Sequence, residues 1–191
     1  ARARTRAAQA GPEVARRLEL IEADIAGFRL PGEPARFRLA FIALNSLMLL
    51  GDRAAQAAAI ATLAAHLEPG GLAVVDVWLP DADDLARYDG RVILDYARDD
   101  PETGRTVVKT GSAIHDAATQ TVALTTIFDE GTAGEPPVRW VRHDRRRLVG
   151  ADELRGFAEA AGLTVEVLAG GYDLALLGPG SDRAVLVATR P

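Results

Sequence analysis

Side chains that could do chemistry follow the ends of four predicted strands. In chain order they are Asp24, then Asn45 and Ser46, then Asp76 and Trp78, and finally Tyr172 and Asp173. In open α/β sheets, ligands bind at the carboxyl ends of the parallel strands. The spacing therefore predicts a ligand site along one edge of a sheet.

Each of these residues also has a purely structural interpretation. Asp24 can cap a turn, and Asn45 and Ser46 can cap the helical turn that follows them. Trp78 can be core packing, and Asp76 can face a helix N-terminus. The sequence leaves these alternatives open, and it is the shared position at strand ends that favours a site.

Other chemistry is sparse. His66 lies near a predicted helix end and is interpreted as a partner of the helix dipole. His115 is interpreted as a solvated turn residue, and His143 as part of a polar strand face. No metal-ligand spacing or glycine-rich phosphate loop occurs, and there are no cysteines. We therefore predict no metal site, and no catalytic residue is identified.

An arginine-rich run occupies residues 139–147. Its basic residues are interrupted by Asp144, and the whole chain has a net charge of -5. Nucleic-acid binding requires a concentration of positive charge. We interpret the run as a solvated strand face and predict no nucleic-acid partner.

Composition indicates an ordinary globular chain. Of its 191 residues, 48% are hydrophobic and 26% are charged, which is typical of a folded domain. No uncharged apolar run is long enough for a membrane span, and no leader is recognised. We therefore expect a soluble, cytoplasmic protein that does not bind a membrane.

Periodicity predicts alternating elements in the first half of the chain. A helix ends at Gly11-Pro12, where glycine and proline stop it. The remaining elements are a strand at 18–24, a buried strand at 37–44, a helix at 53–67 and a buried strand at 72–78.

The pattern becomes antiparallel between residues 91 and 149, with about four β-rich runs separated by turn signals. A short helix over 151–162 and two strands, 163–169 and 183–189, close the chain. We predict an α/β fold with a mostly parallel sheet, a C-terminal antiparallel strand pair and an inserted antiparallel β cap. The predicted domain boundaries are 1–88, 89–149 and 150–191.

The order of these pieces resembles the Rossmann-like S-adenosylmethionine-dependent methyltransferases. The resemblance is carried by Asp24 after a strand, by FRLAFIALNSLMLL and LEPGGLAVVDVW, and by the tail LVGADELRGFAEAAGLTVEVLAGGYD with RAVLVATR. The segments DPETGRTVVKT and ATQTVALTTIFDE resemble the β insertion of the small-molecule branch.

This resemblance implies S-adenosylmethionine as cofactor and methyl transfer to N, O or C of a small molecule. It implies that Asp24 binds the adenine amino group, that Ile25 packs on the ring, and that Leu44 and Asn45 face the methionine portion. The substrate-binding residues that it implies are Ser46, Asp76, Trp78, Tyr172 and Asp173.

The chain departs from the family pattern at its front. The family's first strand, glycine-rich loop and ribose-binding acidic residue do not occur in these residues, so we expect an upstream segment of about 30 to 60 residues, the size of a βαβ unit. A homodimer through the β insertion is also possible. The alternatives are a non-catalytic scaffold domain of the same fold and an NAD(P)-binding Rossmann enzyme.

Overall fold

The computed structural model describes residues 2–30, 37–132 and 134–191, which form two four-stranded sheets and five helices. The helices are α1 (Arg2–Gln9), α2 (Pro12–Arg16), α3 (Arg53–His66), α4 (Ala82–Ala86) and α5 (Ala151–Ala160). The strands are β1 (Phe37–Ile42), β2 (Leu67–Trp78), β3 (Asp89–Asp99), β4 (Thr106–Asp116), β5 (Thr121–Gly131), β6 (Val138–Arg147), β7 (Thr164–Ala169) and β8 (Arg183–Thr189).

The sheet that we call the main sheet has the strand order β1-β2-β8-β7. Strand β1 runs parallel to β2, whereas β8 lies between β2 and β7 and is antiparallel to both. The prediction of a mostly parallel sheet is therefore wrong for the described residues. Placing β8 between two strands that run the other way makes two of the three pairings antiparallel.

The strand predicted over residues 18–24 does not form. Leu18 and Ile21 are about half exposed, and the backbone turns after Asp24 through bonds from Gly27 N and Phe28 N to the Asp24 carbonyl. Alternating apolar and acidic residues suit a strand, but a strand needs a neighbour for its N–H and C=O groups. No described segment pairs with this one.

Two helices cover the main sheet and enclose the core. Helix α3 begins at Asp52, whose side chain accepts a hydrogen bond from Ala55 N, and buries Ile60 and Leu63. Helix α5 buries Leu154 and Phe157 against the same cluster. Alanine at many α3 positions permits close approach to the sheet, so this helix positions β1 and β2 firmly.

The second sheet, which we call the insertion sheet, is an antiparallel meander in the order β3-β4-β5-β6. All four β-rich runs predicted in this interval form strands. Val122 of β5 is 2% exposed and joins the core, whereas Val92 and Leu94 on β3, an edge strand of this sheet, are more than half exposed. The sheet is therefore packed on the core around Val122, and β3 faces solvent.

Candidate functional site

The backbone adopts a rare conformation where β1 ends. Leu44 and Asn45 have φ values of 57° and 61°, in the left-handed region that non-glycine residues seldom occupy. The Leu44 N–H donates to Asp76 Oδ1 at 2.9 Å, and Asn45 Oδ1 accepts from Trp78 N at 2.6 Å. These bonds tie the end of β1 to the end of β2 and offset the strain.

Asp76 is the centre of this arrangement. It is 3% exposed, and burying a carboxylate is costly unless hydrogen bonds replace water. Its second oxygen accepts from the Tyr172 hydroxyl at 3.1 Å. The carboxylate thus joins β1, β2 and the loop after β7. This is the sheet edge at which the sequence predicted Asp76 and Tyr172 to lie. That these residues bind a ligand stays a prediction.

The capping interpretation of Asn45 and Ser46 is wrong. Asn45 stands at the N-cap of the 3₁₀ turn Ser46–Leu49, but its side chain makes no capping bond. Ser46 Oγ donates instead to the Ala43 carbonyl at 2.7 Å. The hydroxyl is used locally, and the Asn45 amide is used to hold Trp78.

The exposed side of this edge carries apolar and aromatic surface. Leu44 is 81% exposed and the Tyr172 ring 61% exposed, with the Arg183 guanidinium 4.7 Å from the ring centroid. Asp173 bends its own turn by accepting from Ala175 N at 3.2 Å. These groups offer stacking surface and one cation to a ligand.

Asp24 and Ile25 lie apart from the Asp76 cluster. Asp24 Oδ1 accepts from Ala26 N at 3.0 Å, as the turn-capping alternative expects. Ile25 lines a cleft of about 810 Å³ whose opposite wall includes Phe41 and Ile42 of β1. The described hydrogen bonds of Asp24 are therefore made within its own turn and do not join it to Leu44 or Asn45.

Sequence reasoning missed Tyr88. Its ring lies 6.1 Å from that of Trp78, and it packs against the core. Burial and the nearby Asp84 carboxylate raise the pKa of Tyr88, and the charge of Arg146 opposes this rise. Tyr88 connects the end of β2 to the insertion sheet, and the only sequence signal was its position just before the first β-rich run.

The arginine-rich strand is only partly a solvated face. Arg147 donates to both carboxylate oxygens of Glu153 at 2.9 Å and to Gln56 Oε1 at 2.8 Å. Its side chain is 13% exposed, so the solvated interpretation is wrong here. Burial raises the pKa of Glu153, but hydrogen bonds from Arg147 and Arg53 outweigh it and hold the pKa below its usual range.

His115 also departs from its interpretation as a solvated turn residue. It lies within β4, its Nε2 atom is buried, and no described residue bonds to that atom. His66 is held by the Thr62 carbonyl at Nδ1 and accepts from Leu30 N at Nε2. Thr62 lies one helical turn before His66, but Leu30 lies 36 residues away in the chain, so the local pattern does not reveal the Leu30 contact.

In the described part of the chain, no group of three or more histidine, aspartate or glutamate side chains could hold a metal ion. Within residues 2–30, 37–132 and 134–191, no helix combines the length and apolarity needed to cross a bilayer.

No protein-family model matches the sequence, and neither does any curated protein. Solved structures do match. The CcbJ methyltransferase from Streptomyces caelestis has a TM-score of 0.78 at 23% identity, over 98% of this chain and 73% of that one. An S-adenosylmethionine-dependent methyltransferase from Clostridium acetobutylicum has a TM-score of 0.72 at 16% identity, over 92% and 67%.

A third match is the sugar N-methyltransferase KedS8 from Streptoalloteichus, with a TM-score of 0.68 at 23% identity, over 93% of this chain and 65% of that one. The chain has the fold of these methyltransferases. Its mixed α/β architecture with two sheets is therefore consistent with the Rossmann-like class. The chain spans 65% to 73% of the three solved chains.

Proposed function

We propose that the protein is an S-adenosylmethionine-dependent methyltransferase acting on a small-molecule acceptor. The observation that carries this proposal is the likeness to the CcbJ methyltransferase over 98% of the chain. A fold alone does not fix function. The proposal therefore also rests on the Asp76 cluster, which lies at the sheet edge where this architecture binds ligands.

The residues at the end of β1 suit the methionine portion of the cofactor. Leu44 presents an 81% exposed apolar side chain there, and Asp76 fixes its backbone. Both Asp76 oxygens already accept hydrogen bonds, so Asp76 acts as a positioning residue. Asp24 keeps one oxygen without a described partner, and Ile25 offers apolar surface for the adenine ring. The cofactor supplies a methyl group on a sulfonium.

In this proposal, the chain's own contribution to catalysis is the positioning of the two reactants. Orientation of two reactants can supply much of the barrier reduction in a group transfer. Trp78 and Tyr88 form a wall between the cluster and the insertion sheet, and Ser46, Tyr172 and Asp173 border the same edge. The site needs no catalytic triad for this reaction, which agrees with the lack of one in the sequence.

We further propose that additional strands pair with β1 in the working protein. Over residues 39–42, β1 pairs with β2 and with no other described strand, and Leu39 and Phe41 there are 53% and 66% exposed. An exposed apolar strand at the edge of a sheet invites association. Two observations support this proposal: the cleft beside β1, and the greater length of the similar solved chains. The same observations support a cofactor site formed jointly by this chain and the additional strands.

Two narrower proposals accompany the main one. Sugar acceptors are favoured by the likeness to the sugar N-methyltransferase, although the acceptor atom is left open as N, O or C. A homodimer through the insertion sheet and a cytoplasmic location remain expectations of the sequence.

Calorimetric titration of the protein expressed from its whole coding sequence with S-adenosylhomocysteine tests the function. We expect saturable binding, and we expect Leu44→Asp to weaken it because a carboxylate would replace the apolar contact. Leu49→Asp, a half-exposed leucine of the neighbouring 3₁₀ turn, is the matched control. NADH serves as the competing cofactor. Absence of binding to S-adenosylhomocysteine, or tighter binding to NADH, would contradict the proposal.

A further inference from the structure

Arg146 differs from the other arginines of β6. Arg139 pairs with Asp129, and Arg142 pairs with Asp144, at 2.7 and 2.6 Å. Arg147 pairs with Glu153, and Arg145 bonds to the Thr121 hydroxyl. The Arg146 side chain makes no ion pair or hydrogen bond with a described residue, and its Nε atom is buried.

A buried guanidinium nitrogen without an acceptor is costly, and such groups need an explanation. Asp144, two residues away on the same face of β6, is occupied by Arg142. Asp84 acts on Tyr88, but it forms no ion pair with Arg146. The chain therefore places a cation here without a carboxylate partner.

His115 provides a second, independent unpaired group. It lies opposite Val122, which lies opposite Arg146, so the three residues form one row across β4, β5 and β6. Residues directly opposite each other project from the same face of a sheet. Two strand spacings separate the backbones by about 10 Å. Val122 itself is covered by the core, whereas His115 and Arg146 are only part-buried, so one small group that enters from solvent can contact both of these longer side chains.

This row lies next to the candidate site. The His115 N–H donates to the Tyr88 carbonyl at 3.0 Å, and the Tyr88 and Trp78 rings are neighbours. Trp78 is in turn bound to Asn45 at the Asp76 cluster.

We propose that Arg146 and His115 form a binding site for the oxyanion group of a small molecule. The group is a carboxylate or a phosphate, because a guanidinium presents parallel N–H donors that match either one. Resting on the proposed function, we assign this group to the methyl acceptor. The acceptor would then be anchored by its charged end while its nucleophile faces the Asp76 cluster.

Histidine ring resonances offer a direct test on the whole protein. The chain has three histidines, and their ring signals are assigned with His66→Gln, His115→Gln and His143→Gln variants. Inorganic phosphate and succinate are titrated separately, at fixed pH and with ionic strength balanced by chloride. We expect a saturable shift of the His115 signal with at least one of them, and little change at His66 and His143.

Arg146→Gln should weaken the anion affinity read from the His115 shift at least about tenfold, which is the scale of one lost charged hydrogen bond. The affinity of Arg146→Lys should lie between that of Arg146→Gln and that of the parent. Arg142→Gln, on the same strand and already paired, is the matched control and should respond like the parent. Unchanged His66 and His143 signals establish that each variant is folded. A stronger response to phosphate indicates a phosphorylated acceptor, and one to succinate indicates a carboxylate.

The inference is overturned if neither anion moves the His115 signal, if all three histidines shift equally, or if Arg146→Gln responds like Arg142→Gln. Its failure is separate from that of the proposed function. Binding of S-adenosylhomocysteine without an anion response removes only the oxyanion site. An anion response without cofactor binding keeps the site but removes its assignment to a methyl acceptor.

Discussion

Polar groups are buried at the carboxyl edge of the main sheet and also on one face of the insertion sheet, the face that carries His115, Val122 and Arg146. We call this second surface the inner face. The two regions differ in whether the buried polar groups have hydrogen-bond partners. At the edge, Asp76 accepts two hydrogen bonds and Asn45 accepts one from Trp78. On the inner face, His115 and Arg146 each bury a nitrogen that no described residue pairs. The edge is held by its own hydrogen bonds, whereas the inner face leaves two buried nitrogens for the ligand that we propose.

The largest expected effect comes from breaking the edge. Asp76→Ala leaves Leu44 N–H and the Tyr172 hydroxyl without their acceptor, and it removes the support for two left-handed residues. We expect the free energy of unfolding, measured by urea denaturation, to fall by about 2 to 4 kcal/mol. This is the cost of leaving one or two buried polar groups without a partner. Asp173→Ala is the control and should change it by less than about 0.5 kcal/mol. Equal effects of the two would show that Asp76 does not organise the edge.

A second comparison is available between two adjacent arginines. Arg147→Met breaks the bonds to Glu153 and Gln56, and we expect a loss of about 1 to 3 kcal/mol, since an acceptor is left with a burial penalty. The effect should depend on pH. The lowered pKa of Glu153 stabilises the fold above the ordinary glutamate range, and this contribution disappears as the pH falls through the folded-state pKa.

The pH profile of unfolding checks this assignment. In the parent, the free energy of unfolding should fall as the solution is acidified below the ordinary glutamate range, and Glu153→Gln should flatten that part of the profile. Asp144→Asn is the control, because its ion pair with Arg142 involves an exposed arginine. A profile that Glu153→Gln leaves unchanged would assign the acid sensitivity to other carboxylates.

Arg146→Met should behave in the opposite way from Arg147→Met. Methionine keeps much of the apolar stem, and it removes a charged group that no described residue pairs. Replacing buried charge by apolar side chains is often neutral or stabilising. Without added anion, we expect a change between zero and a gain of about 1 kcal/mol. A loss as large as that of Arg147→Met would mean that Arg146 has a stabilising partner, and it would remove the basis of the oxyanion site.

These two arginines also show where sequence reasoning stops. Periodicity predicted α3, α5 and all four insertion strands, because side-chain spacing is a local property. The strand-end rule brought Asp76 and Tyr172 to one edge. The sequence did not predict that Arg147 has hydrogen-bond partners whereas the Arg146 side chain has none. This depends on the positions of Glu153 and Gln56, and on which face of β6 packs on the core.

The failed strand at residues 18–24 has a related cause. Its pattern of apolar and acidic residues is that of a strand, but pairing depends on a partner that a local pattern does not specify. The same holds for His115, whose neighbours in the row, Val122 and Arg146, are set by sheet register. Register and pairing, more than element type, are what the sequence alone did not provide.

The smallest expected effect concerns the strain at the end of β1. Leu44 has a φ of 57° and is 81% exposed, so Leu44→Gly loses little packing and removes a left-handed penalty of about 1 to 2 kcal/mol. The greater freedom of glycine in the unfolded chain offsets about 0.5 to 1 kcal/mol of that. A net gain of about 0.5 kcal/mol should follow by urea denaturation, with weaker binding of S-adenosylhomocysteine. Leu49→Gly, which relieves no such strain, should destabilise. If Leu44→Gly also destabilises the protein while binding of S-adenosylhomocysteine is unchanged, the prediction is wrong. Leu44 then stabilises the fold, and its left-handed backbone is not strained in favour of a ligand contact.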